Sequence, residues 1–167
     1  MPAIAGSDIN AVVKRASLKH GVPVTLIQAI IQTESSWNPS AYRTEPKIND
    51  ASWGLMQVLL RTARETSGNP SLTASELLKP ETNIDIGTKY LGKQLKRYGS
   101  NINNAIAAYN AGSAMFTSTG AYVNQNYVNK VNKWLTYYKA KTAVAGVGPI
   151  AIGAGAVLGL MMMSRRK

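Results

Sequence analysis

Val24–Pro39 reads VTLIQAIIQTESSWNP. Ile27, Ile30, Ile31 and Glu34 recur at helical spacing, so three branched apolar residues and one carboxylate share a stripe. Burying that stripe draws Glu34 towards low-dielectric surroundings at the helix end. Desolvation disfavours a charged carboxyl and raises its pKa, which is what an acid catalyst needs near neutral pH. Read alone, the same stretch is more simply a helix ending in a solvated glutamate. The rest of the chain decides between the two.

The 167 residues suggest one main domain, with 45% hydrophobic and 16% charged residues. A net charge of +11, from 19 Lys and Arg against 8 Asp and Glu, favours a polyanionic partner such as nucleic acid, an acidic membrane or a wall polymer. The basic residues are dispersed, and no nucleic-acid module is recognisable, so specific nucleic-acid binding is not expected. The absence of cysteine excludes disulfides, thiolate chemistry and Cys-based metal sites. The lone His20 sits beside Gly21 at a predicted helix end and is assigned a structural role. Neither metal nor cofactor is expected.

Working outward, a first helix is expected from Ser7 or Asp8 to His20, and Pro23 opens the second, which ends near Ser35 or Ser36. Tyr42–Ser52 is polar and irregular, with Glu45 and Asp50. After Gly54 a helix is expected from about Met56 to Glu65, then a short one capped by Thr73-Ala74-Ser75-Glu76. Asn83 begins another, in which Gly87 implies close packing against a neighbour, and Gly99 ends it. Ile102–Gly112 and a long last helix after Gly120, with Val123, Tyr127, Val131, Trp134, Leu135 and Tyr138 inward, follow. No segment alternates with period two for long enough to predict a strand, so residues 1–140 read as all-α.

Ala143–Met163 is 21 residues without a charge, followed by the basic tail Ser164-Arg165-Arg166-Lys167. As a helix it would span roughly 30 Å, a bilayer core, so a single-pass C-terminal transmembrane helix over 143–163 is expected, with 164–167 as tail. Gly155 and Gly159 form a GxxxG pair compatible with self-association there. The leading MPAIAGSD has neither the basic nor the apolar region of a secretion signal.

Four pieces need one explanation: Glu34-Ser35, Gly54-Leu55-Met56-Gln57, Ala108-Tyr109-Asn110-Ala111-Gly112, and Tyr127. With Asn83-Ile84, Gly87 and Tyr90-Leu91, in this order on a helical domain, they resemble the soluble lytic transglycosylase catalytic domain of the lysozyme-like superfamily, over residues 9–138. The resemblance implies a goose-type lysozyme-like fold. It also implies cleavage of the β-1,4 bond between N-acetylmuramic acid and N-acetylglucosamine in peptidoglycan glycan strands, with 1,6-anhydromuramic acid ends. Carried over by position, Glu34 is the catalytic acid/base. Ser35, Met56, Gln57, Tyr109 and Asn110 bind substrate or line the cleft, and Tyr127 orients the acid.

The residues themselves are compatible with this. Hydrolysing glycosidases use a carboxylate pair, whereas here one carboxyl group lies in a motif. Glu45 or Asp50, if facing the cleft, would make goose-type lysozyme hydrolysis the competing reaction. A non-catalytic glycan-binding or structural membrane protein is the alternative from another class. Trp37 and Trp53 could stack on sugars or fill the core. An anchored wall-cleaving domain without a secretion signal suggests a virion or transfer-apparatus membrane, or the bacterial envelope, with local wall opening as the task.

Overall fold

The computed structural model describes residues 6–146. Helix α1 (Gly6–His20) is followed by α2 (Val24–Ser35). A short antiparallel sheet comes next: β1 (Tyr42–Glu45), a 3-10 turn (Pro46–Ile48), β2 (Asp50–Trp53) and β3 (Val58–Leu59). Five helices complete the domain: α3 (Leu60–Ser67), α4 (Ala74–Leu77), α5 (Pro80–Arg97), α6 (Ile102–Ala111) and α7 (Gln125–Gly146).

Helix α2 is the axis of the core. Leu26, Ile27, Ala29, Ile30 and Ile31 are all buried, and α1 and α7 both pack against this helix. Val128, Val131, Leu135 and Tyr138 turn the inner face of α7 towards this core, and Ile84 and Leu91 do the same for α5. Burying each such side chain contributes about 1.5–3 kcal/mol, which is how a mixed-polarity helix becomes a fixed element.

The sheet corrects the all-α expectation. Its two longer strands have four residues each, too few for alternation to register against the surrounding polar sequence. Tertiary features define the hairpin instead. Asn49 turns in the left-handed region, Tyr42 pairs with Trp53 and Glu45 with Asp50, and the Tyr42 and Trp53 rings lie 4.5 Å apart.

Several boundaries also move. Helix α3 begins at Leu60 rather than near Met56, because Gly54 and Gln57 both adopt positive φ and hold Gly54–Gln57 in a turn. Helix α5 begins at Pro80, where a missing donor costs nothing, and not at Asn83. Helix α7 begins at Gln125, leaving Val123 ahead of it and 60% exposed. The capping box at Thr73 and Glu76 forms in both directions.

The expected transmembrane helix is not supported. Among the described residues no helix is long and apolar enough to cross a membrane. Ala143–Gly146 is the end of α7, which carries Lys130, Lys133, Lys139 and Lys141 and packs against α2 and α6. The remainder of the expected span, with Gly155, Gly159 and the basic tail, lies outside the described residues.

Candidate functional site

The turn between β2 and β3 holds the site together. Gly54 sits at φ 69°, and a Cβ there would stand 2.5 Å from the Asn83 side-chain amide. Asn83 is fully buried. Its oxygen accepts from the Met56 amide at 2.8 Å, and its nitrogen donates to the carbonyls of Trp53 and Leu77 at 2.8 and 2.9 Å. From α6, the Tyr109 hydroxyl donates to the Met56 carbonyl at 2.9 Å. From α2, the Ser35 hydroxyl meets the Leu55 carbonyl at 2.8 Å and the Ile31 carbonyl at 3.1 Å.

Glu34, one residue earlier on the last turn of α2, is thereby fixed at the edge of a cleft of about 480 Å3. Arg43, Glu45, Gln57, Tyr90, Tyr109 and Asn110 also line it. The Tyr127 hydroxyl, from α7, donates to Glu34 Oε1 at 2.6 Å. Desolvation pushes the Glu34 pKa from its usual 4.5 up to about 7. The Tyr127 hydrogen bond and the Arg43 charge oppose the rise, and the Glu45 charge adds to it. Burial, with the nearby Glu34 charge, raises the Tyr109 and Tyr127 pKa values well above normal, so both remain hydrogen-bond donors at neutral pH.

The site residues named from sequence are thus brought to one region in different capacities. Glu34, Gln57, Tyr109 and Asn110 line the cleft. Gln57 holds itself by donating to the Ala41 and Gly54 carbonyls at 3.1 and 2.9 Å. Asn110 accepts from Asn124 at 3.0 Å. Met56 is placed in the core and not on the cleft wall: its side chain is fully buried against Gly87, where a Cβ would fall 2.6 Å from its sulfur. Ser35 is likewise committed to backbone carbonyls and is not among the residues lining the cleft. Both aromatics left open by the sequence have internal partners. Trp37 donates to the Tyr138 hydroxyl at 2.9 Å, and Trp53 packs on Tyr42.

Sequence reasoning missed Arg43. Its guanidinium contacts Glu45 Oε1 at 2.7 and 2.8 Å, and the Ser52 hydroxyl reaches the same oxygen at 3.4 Å. The signal was the i, i+2 spacing of Arg43 and Glu45, which places both on one face of a strand once a strand is recognised. The two acidic candidates separate. Glu45 lines the cleft, whereas Asp50 accepts from the amides of Ala51 and Arg61 at 2.7 and 3.1 Å and serves the start of α3. His20 joins Lys19 on Asp85 of α5, at 2.8 and 2.9 Å, away from the cleft. Among the described residues no group of three or more His, Cys, Asp or Glu side chains could hold a metal.

A family model, the transglycosylase SLT domain, matches residues 11–135. The chain is 42% identical over 115 residues to membrane-bound lytic murein transglycosylase C of Serratia proteamaculans, and 40% identical over 115 residues to that of Photorhabdus laumondii. Each match covers 60% of this chain, which spans only 30% of the relative's length. Among solved structures, the 70 kDa soluble lytic transglycosylase of Escherichia coli aligns with a TM-score of 0.66 at 30% identity, over 80% of this chain and 24% of that one. An inactive glutamate-to-glutamine variant of the lytic transglycosylase Slt of Pseudomonas aeruginosa aligns with a TM-score of 0.67 at 28% identity, again over 80% of this chain and 24% of that one. With residues 11–135 inside the family model and the same helical architecture in these structures, the chain belongs to the transglycosylase SLT domain family.

Proposed function

We propose that this chain is a peptidoglycan lytic transglycosylase, cleaving the β-1,4 bond between N-acetylmuramic acid and N-acetylglucosamine with formation of 1,6-anhydromuramic acid ends. The observation that carries the reading is Glu34: a cleft carboxyl with its pKa raised to about 7 and its Oε1 held at 2.6 Å by Tyr127. Such a group is protonated and deprotonated with comparable ease at neutral pH, which one residue acting as acid and then base requires. The names of the SLT-family relatives, lytic murein transglycosylases, support the same reading.

In the first step Glu34 donates its proton to the glycosidic oxygen, the bond from the muramoyl C1 to that oxygen breaks, and the N-acetylglucosamine end leaves as an alcohol. In the second the Glu34 carboxylate takes the proton of the muramoyl C6 hydroxyl, whose oxygen bonds to C1. Glu34 is returned protonated and no water is consumed. Tyr127 positions the carboxyl. Asn110, Gln57 and Tyr109 line the glycan path, and Ser35, Met56 and Asn83 act through the backbone they fix. An envelope location, facing the wall, follows from this substrate.

Glu45 supports a second reading, goose-type hydrolysis, because it places another carboxyl in the cleft. Its Oε1 is engaged by Arg43 and Ser52, which favours a structural carboxylate over one that activates water. Digestion of murein sacculi followed by mass spectrometry separates the readings. Anhydro ends, one water lighter, support the lyase. Reducing ends support the hydrolase, and an absence of soluble muropeptides refutes both.

A further inference from the structure

Arg43 and Glu45 are two residues apart on β1, so both side chains stand on the same face of the strand, and both line the cleft with Glu34. Across the hairpin, Arg43 is in register with Ser52, which is buried and lines the same cleft. The guanidinium Nε and Nη2 hold Glu45 Oε1 at 2.8 and 2.7 Å, and the Ser52 hydroxyl approaches that oxygen at 3.4 Å. With side chains 62% and 30% exposed, such a pair adds little to stability. The hairpin is already closed by its strand ladder and by the Tyr42–Trp53 contact. Its position therefore matters more than its strength. The titratable and charged groups around Glu34 are Tyr127 of α7, Tyr109 of α6, Tyr90 of α5, Arg61 of α3, and Arg43 and Glu45 themselves. The buried face of α1 is apolar. Burial raises the pKa values of the three tyrosines, so they stay neutral at neutral pH. Of the charged groups, Arg43 favours the Glu34 carboxylate and Glu45 disfavours it.

We propose that Arg43 and Glu45 form a balanced charge pair that acts on the reaction through Glu34: the guanidinium supports the carboxylate left when the proton is donated, and Glu45 restrains that support so that the carboxyl is still protonated when glycan arrives. Both are positioning residues, and the proposal rests on the lyase reading above. One group that serves first as acid and then as base needs neither form strongly favoured. A lone arginine in the cleft would commit Glu34 to its charged form, and a lone glutamate would commit it to its neutral one. Held oxygen to nitrogen on one strand face, the two charges largely cancel at Glu34, and the remainder is set by which of them stands nearer. Glu45 thus has a task in the cleft that requires no contact with water or sugar.

The test follows the Glu34 carboxyl by carbon-13 NMR in the full 167-residue chain, labelled at glutamate and assigned with Glu34→Gln. In Arg43→Gln the carboxyl titrates at higher pH and in Glu45→Gln at lower pH, each by about half to one pH unit, and in the double variant it returns close to the wild-type value. The alkaline limb of the rate of muropeptide release from murein sacculi moves in step with each titration. Arg43→Lys keeps the charge and so keeps the limb. Lost activity in both single variants without opposite shifts is what a merely structural hairpin contact gives, and it overturns the proposal. Shifts of the same sign overturn it too, as does a limb in Arg43→Lys displaced as far as in Arg43→Gln. If sacculi are not cut at all, the lyase reading fails, while the carboxyl titrations still decide whether the pair acts on Glu34.

Discussion

Replacing Glu34 by Gln should stabilise the protein, and by an amount that depends on pH. The folded protein resists ionising this carboxyl: its pKa rises from 4.5 to about 7 because burial strips its hydration. At ~1.4 kcal/mol per pH unit, that rise corresponds to about 3 kcal/mol. The sign follows from proton counts. Between pH 4.5 and 7 the unfolded chain has released the proton and the folded chain retains it, so stability falls as pH rises through this window. Below it the penalty is absent, and above it the penalty is complete. Glutamine does not ionise, and its side-chain oxygen still accepts from Tyr127. Urea unfolding of Glu34→Gln and wild type should therefore give nearly equal stabilities at pH 4. Above pH 7.5 the variant should be more stable by about 3 kcal/mol, a midpoint increase of about 1–2 M urea. A gap that stays constant across this range would show that Glu34 ionises as freely in the folded chain as in the unfolded one. That result would remove the physical basis for its role as an acid.

Tyr127→Phe removes the hydrogen bond that favours the Glu34 carboxylate, so the alkaline limb of kcat should move to higher pH. Its maximum should fall at least about tenfold through lost positioning, with KM little changed. A pH-rate profile checks both. Gly87→Ala places a methyl 2.9 Å from the Met56 Cβ, which cannot swing away as the sulfur can. It should cost about 1–3 kcal/mol in thermal or urea unfolding, and activity should fall with the displaced turn. At Asp85 burial opposes ionisation, but hydrogen bonds from Lys19 and His20 win, so its pKa lies below the usual value. Asp85→Asn should therefore cost about 1 kcal/mol at pH 7 and low salt, the loss narrowing as pH falls below 4 and in high salt.

The parts of the fold legible in the sequence are those whose information is local. The stripe of Ile27, Ile30 and Ile31 specifies α2, and the capping box specifies α4, because each is carried by residues within one or two turns of one another. The hairpin was illegible for the opposite reason. Tyr42–Glu45 forms a strand only because Asp50–Trp53 is paired with it, and nothing within four residues announces that pairing. Arg43 was lost with it. The boundary of α3 was misplaced because Leu55 and Met56 look like helix interior, yet Asn83, 27 residues away from Met56, binds its amide and holds the turn open. Glu34 and Tyr127 were legible as types in a family pattern. Their contact at 2.6 Å spans 93 residues and belongs to the fold alone.

The hydrogen bonds around the cleft converge on Gly54–Met56 more than on Glu34. Helix α2 reaches this turn through Ser35, α5 through Asn83 and α6 through Tyr109, and each binds a backbone atom and not a side chain. Gly54 admits Asn83, and Gly87 admits Met56, so two positions without a Cβ let α5 close on the turn that α2 and α6 also hold. Tyr127 is the exception: it alone among these contacts touches the carboxyl. The acid is therefore tuned by two separable devices. One is a rigid frame that sets how deeply Glu34 is buried, and hence how far its pKa rises. The other is a single hydroxyl that opposes the rise and sets which way the carboxyl points. A side chain such as Met56 can then be indispensable to the site without facing substrate, because its backbone, and not its sulfur, is what the neighbouring helices hold.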